Sequence, residues 1–188
     1  RMYMHSHGVS EEHLAKVAVK NISNASANPC AHRSMPKVSL EEVMGSKILC
    51  DPIRELMMSP MSDGACAVII AAEEKAKKFT DKPVWIEGIG TCQGPYLRDR
   101  DLHKLESLET AARTAYKMAG IKDPSSELQV AEISEKFAHE ELMIYEALGL
   151  CWEGEGKKLL EKGTTAKGGK LPVNPSGGAL GADQHHRA

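Results

Sequence analysis

Large aromatic side chains are scarce in this sequence. Two Trp, four Tyr and two Phe amount to 4% of 188 residues, so few rings are on hand to anchor a core or to stack on bases. The core must instead come from Ala, Val, Ile, Leu and the nine Met. An excess of one charge is lacking too. The 24 Lys and Arg nearly balance the 26 Asp and Glu, for a formal net charge of -2. No basic stripe appears, which argues against nucleic acid as a partner. No apolar run approaches the roughly 20 residues of a membrane span. The first residues do not form a signal peptide.

Cysteine is present but unpatterned. Cys30, Cys50, Cys66, Cys92 and Cys151 are widely spaced, odd in number and without a C-x-x-C pair. That pattern suits free thiols in a reducing cytoplasm. Each reads by default as a small buried apolar residue. His5, His7, His13 and His32 have no acidic or Cys partner at ligand spacing, so no metal site is expected.

A length of 188 residues suits one domain with a real core, or one and a half small units. Ser10 before "EEH" predicts a helix start, and Leu14, Val17, Ala18, Ile22 and Ala25 recur at helical spacing over 11–26. "SLEEVMGS" predicts a short capped helix from Ser39 to Gly45. Ser-Pro and Asp63-Gly64 mark turns in "MSPMSDG". The continuous small and apolar run over 65–72 then predicts a strand buried on both faces. "EEKAKKF" predicts a charged helix, and "VWIEGIGT", 84–91, alternates like a second strand. Leu105, Leu108, Ala111, Ala112, Ala115, Met118 and Ala119 predict a helix closed by Gly120. "LQVAEI", 128–133, predicts a third strand. "AHEELMIYEALGL" and "GEGKKLLEKG" predict two more helices. Strands alternating with helices argue for an α/β layered fold with a partly parallel sheet.

Several segments together resemble one family. "SPMSDGACAVIIAAEEKA", "LETAARTAYKMAGI", "VAEISEKFAHEELMIYEALGLCWEGEGKKLLEKG" and "LPVNPSGGALG" occur here in the order in which thiolases carry similar segments. The wording "YEALGLC" with "NPSGG" looks most like the sterol-carrier-protein-x and archaeal acetyl-CoA acetyltransferase branch. The resemblance implies a thiolase-like layered fold, an αβαβα sandwich, incomplete in this chain. Residues 1–56 would close the N-terminal half and connect it onward, and 57–181 would form most of the C-terminal half. It also implies a chain about twice this length, with the nucleophilic Cys and the second catalytic Cys outside these 188 residues.

What the resemblance implies chemically is acyl exchange between an enzyme Cys and coenzyme A. That chemistry needs a low-pKa thiol, an activating imidazole and donors to two oxyanions. The family's N-E-A-F or H-D-A/C-F loop reads Ser134-Glu135-Lys136-Phe137 here. Ser134 replaces the leading Asn or His, with a shorter reach. Lys136 replaces a small residue, which puts substrate fit in doubt. His139 is the candidate to supply the missing imidazole. The competing reading makes it an exposed first-turn helix histidine beside Glu140 and Glu141. Phe137 would line the acyl pocket, or be an ordinary core ring. Ser59 would bond the pantetheine arm of CoA, with Met58 and Met61 as soft apolar walls, or simply form a turn. Ser176, Gly177 and Gly178 would form the tight passage beneath the site. Arg33, Arg98 and Arg100 could meet CoA phosphates, though solvated arginines are the plainer reading.

The family's G-H-P would fall at Asp183-Gln184-His185, so Gln184 stands where the His is expected. Either the chemistry is altered or 182–188 is a non-native tail, and the second is favoured. The expected function is therefore a CoA-dependent thiolase-type acyltransferase, with acyl-CoA as substrate and no covalently bound cofactor. A homodimer or higher oligomer is implied, as is a small OB-fold or zinc-ribbon partner protein. The alternative is a non-catalytic thiolase-like protein that binds acyl-CoA or lipid, or supports a partner.

Overall fold

The computed structural model describes residues 1–33, 35–63, 65–94 and 101–181. Arg98, Arg100, Gly64 and the tail that carries Gln184, His185 and His186 lie outside the described residues. The elements run α1 (Met2–His7), α2 (Glu11–Ala25), α3 (Leu40–Gly45), β1 (Ile48–Cys50), β2 (Ile53–Arg54), a 3-10 turn η1 (Glu55–Met57), α4 (Glu73–Phe79), α5 (Glu106–Ala119), α6 (Pro124–Glu127), α7 (Ala138–Ala147), α8 (Gly156–Glu161) and α9 (Gly178–Gly181).

Helix α2 sits at the centre. Leu14, Ala15, Val17, Ala18, Ile22 and Ala25 are all fully buried along it, as the helical spacing predicts. It packs against α3, η1, α7, α8 and α9. Burial of each Leu or Ile side chain here contributes about 1.5–3 kcal/mol. Its start is fixed by a reciprocal cap. Ser10 Oγ accepts from the His13 backbone N–H, and the Ser10 N–H donates to His13 Nδ1 at 2.9 Å. Helix α3 begins the same way, with Ser39 and Glu42 as the pair. Helix α7 brings Ala138, Leu142 and Tyr145 against α2, and Met57, Val43, Val173, Ala179 and Leu180 complete the fully buried apolar set among the described residues. Helix α5 ends at Gly120, whose φ of 75° suits the residue predicted to stop it.

The predicted strands come out differently. Among the described residues, the paired strands are the short antiparallel β1–β2 hairpin. Residues 65–72 are exposed throughout and form no strand, against the expectation of burial on both faces. A strand satisfies its backbone only through neighbours, and no described segment pairs with this one. Residues 84–91 are likewise unpaired. One face of that segment is nonetheless seated. A Cβ on Gly88 would stand 2.2 Å from the Ala115 carbonyl oxygen, and one on Gly90 would stand 1.8 Å from that of Ala111. Glycines two apart on the extended segment thus meet alanines four apart on α5, where no side chain would fit. Segment 128–133 keeps one element of the predicted parallel sheet, a parallel bridge between Ala131 and Val173.

Candidate functional site

The loop 134–137 is held from two sides. Upstream, Ala131 N–H donates to Pro172 O at 3.0 Å and Asn174 N–H donates to Ala131 O at 2.8 Å. Downstream, Phe137 forms an antiparallel bridge with Met58, and Ser59 N–H donates to Lys136 O at 2.8 Å. Helix α7 starts with no side-chain cap at Phe137. Instead Glu140 reaches back, and its Oε2 accepts from the Lys136 N–H at 2.7 Å.

Two carboxyl groups lie at the centre, both fully buried. Glu135 accepts from Asn21 Nδ2 at 3.0 Å, from Asn174 Nδ2 at 2.9 Å and from the Leu180 N–H at 3.1 Å. Glu141 accepts from Asn21 Nδ2 at 2.5 Å, Asn174 Nδ2 at 3.0 Å, Lys20 Nζ at 2.7 Å and the Tyr145 hydroxyl. Thr165 Oγ1 lies 3.2 Å from the same hydroxyl. Burial and the neighbouring Glu141 push the Tyr145 phenol well above its ordinary value, so it stays a donor. Asn174 turns the chain at φ 56°, and its Oδ1 accepts from the Ile133 N–H at 2.8 Å. Its amide orientation is thereby fixed.

The Gly-rich turn closes over this network. Gly178 has φ 61°, and a Cβ there would lie 2.3 Å from Glu135 Oε1 and 2.4 Å from Asn174 Nδ2. Gly177 has φ 114°, and a Cβ there would lie 2.6 Å from the Ala25 Cβ. Only glycine meets both demands. Ser176 anchors the turn from outside, donating from N and Oγ to the Glu132 carboxylate at 2.9 and 2.8 Å.

His139 is not the exposed helix residue of the plainer reading. It is half-buried, stacked on Phe137 with ring centroids 5.8 Å apart and 23° between planes. Its Nδ1 is buried with no hydrogen-bond partner among the described residues. Desolvation holds its pKa below the usual 6.5, only partly offset by Glu140. A neutral imidazole results, able to donate from one nitrogen and accept at the other.

The other predicted residues divide. The structure brings Glu135, Gly177 and Gly178 together, pairs Phe137 with His139, and ties Ser59 to the loop through its backbone. Ser134 is exposed. Met61 is 92% exposed, because the segment it begins is itself unpaired. Arg33 is half-buried. Its Nη1 donates to Met58 O at 2.8 Å, and its backbone N–H donates to Gly181 O at 2.9 Å. The exposed cysteines are Cys30, Cys50, Cys66 and Cys92, with Cys151 half-buried, so the expectation of buried thiols fails for the first four. For Cys66 the cause is the open run over 65–72. Sequence reading missed Lys20, Asn21, Glu141 and Asn174. Asn21 and Glu141 did leave a signal, a polar residue placed on the buried stripe of a helix.

Residues 91–186 match the family described as thiolase C-terminal domain-like. The chain belongs to that family. Among its relatives is an acetyl-CoA acetyltransferase of Methanothermobacter thermautotrophicus, 40% identical over 95% of this chain and 46% of the relative. Benzoylsuccinyl-CoA thiolase subunit BbsB of Thauera aromatica is 37% identical over the same shares. Sterol carrier protein 2 of Bos taurus is 36% identical over 95% of this chain and 34% of its own length. Among solved structures, an Ltp2-ChsH2(DUF35) aldolase superposes with a TM-score of 0.86 at 26% identity, over 98% of this chain and 49% of that one. This thiolase-family chain therefore spans under half the length of the relatives it matches. Its fold is the α/β thiolase-like fold in part. Among the described residues no helix is long and apolar enough to cross a membrane.

Proposed function

We propose that this thiolase-family chain contributes the C-terminal catalytic loop of a CoA-dependent acyltransferase, which condenses acyl-CoA with acetyl-CoA or cleaves the product thiolytically. The observation that carries the reading is His139, a neutral half-buried imidazole with an unpartnered Nδ1, standing just beyond a loop clamped by Glu135. In the reaction a Cys outside this chain adds as thiolate to the thioester carbonyl carbon. The carbon–sulfur bond to CoA breaks, and CoA leaves as a thiol with the proton the Cys gave up. His139 would donate to the oxyanion formed on that carbonyl, which is worth about 3 kcal/mol for one well-placed donor. Ser134, exposed at the loop's head, would hold a water or donate one hydrogen bond beside His139 and Glu135, and the Phe137 ring would border the acyl group. Ser59 would meet the pantetheine arm, and Ser176, Gly177 and Gly178 would floor the passage. Acyl-CoA is substrate, and no cofactor is needed.

The protein would act in the cytoplasm as a homodimer or higher oligomer. A small partner protein is supported by the aldolase neighbour, whose name pairs Ltp2 with ChsH2(DUF35). One observation favours a non-catalytic acyl-CoA- or lipid-binding role instead. Lys136 projects exposed charge where the family's loop carries a small residue. The test is the intact mass of the protein purified from its native cells, before and after incubation with acyl-CoA. One acyl group gained on a Cys outside these residues, with turnover cut about 100-fold in His139→Ala, supports the transferase. Tight acyl-CoA binding without an adduct moves the conclusion to the binding role.

A further inference from the structure

The network under the candidate site takes donors from outside the family-matched region. Lys20, Asn21 and Asn24 lie on α2, far before residue 91. Lys20 Nζ bridges Glu141 Oε1 and Val173 O, each at 2.7 Å. Asn21 Nδ2 touches both carboxyls, and Asn24 Nδ2 donates to Asn174 O at 3.0 Å. Each of the four carboxyl oxygens meets at least one donor. Glu135 Oε1 takes Asn21 and the Leu180 N–H, while its Oε2 takes Asn174. Glu141 Oε1 takes Lys20 and Tyr145, and its Oε2 takes both amides.

We infer that Asn21 and Lys20 of α2 are positioning residues for the candidate site. With Asn174 they clamp the two buried carboxyl groups side by side, and so fix the Gly-rich turn against loop 134–137. The clamp acts through the Leu180 N–H on Glu135 and the Ile133 N–H on Asn174. Its functional consequence rests on the acyltransferase reading above, whereas the clamp itself does not.

Asn21→Asp is the discriminating variant, nearly the same shape but with a third carboxyl group facing two others. The folded protein must take up a proton there, which raises that group's folded pKa above the ordinary Asp value near 3.9. The pH-dependent part of the deficit in Tm is then absent below that value and grows as pH rises, on top of the fixed cost of the lost amide donors. It should reach about 10 °C at pH 8 and shrink toward pH 5 relative to the parent at the same pH. Asn21→Leu strips the donors without adding a titratable group, and its deficit should change less with pH than that of Asn21→Asp. Equal deficits for Asn21→Asp at both pH values would make Asn21 a space-filler and overturn the clamp. If Asn21→Asp folds at neither pH, amide exchange in the parent decides. Leu180 and Ile133 should exchange as slowly as the α2 core, and loop-like exchange overturns the inference. These readouts need no activity, so a failed acyl-adduct test leaves them standing.

Discussion

Helix α2 with its surroundings and the segment 61–92 are comparably apolar, yet they end in opposite states. Around α2 the apolar stripe is wholly buried, and the polar residues on it are met by Glu135, Glu141 and backbone carbonyls. In 61–92, Ile69 is 95% and Val84 94% exposed. A helix satisfies its own backbone and needs a neighbour only for one face. A strand needs neighbours for both its hydrogen bonds and its faces. The central helices could therefore complete themselves, and the strand sequences could not.

The largest effect expected from breaking this contrast lies at the buried pair. Glu141→Leu leaves Lys20 without its carboxylate, and loss of one partner of a buried pair costs about 3–5 kcal/mol. Denaturant melts should show the midpoint fall, or the cooperative transition disappear. Next, Leu142→Ala should cost about 2–5 kcal/mol, whereas Ile69→Ala should stay within about 0.5 kcal/mol. Equal costs would mean that 65–72 is buried after all. Ile69→Lys should also raise the solubility of the chain, since exposed apolar runs and unpaired edges favour association.

Gly90→Ala sharpens the comparison within the open segment. Its Cβ would strike the Ala111 carbonyl, so residues 84–91 should lift from α5 and be cut faster in limited proteolysis, while melting of the centre changes little. The smallest effect concerns pH. The His139 pKa is lowered in the folded chain, so the unfolded chain takes up the proton first. Stability should be full above the unfolded value near 6.5 and fall as pH drops below it. The slope is at most about 1.4 kcal/mol per pH unit. His139→Asn should flatten that part of a Tm-against-pH curve.

Helix starts and stops were legible because capping is local. Ser10, Ser39 and Gly120 each act within four residues of themselves. The motif residues Glu135, Gly177 and Gly178 were legible as a set, through resemblance. The reason glycine is required at 178 was not legible, because it depends on Glu135, more than 40 positions away. His139 was ambiguous in sequence, since its neighbours Glu140 and Glu141 suggest solvent. Glu141 in fact turns inward to Lys20, and burial follows.

By itself the amino-acid sequence determined the helices, their caps, the apolar stripes and the family pattern, because these depend on spacing within a few turns of chain. Tertiary structure decided which polar residues on those stripes would meet. It turned Asn21, Asn174, Glu135 and Glu141 into one network, left 65–72 open and made His139 neutral. Partners for buried charge and for strand edges are set by distance in space, which spacing along the chain does not encode.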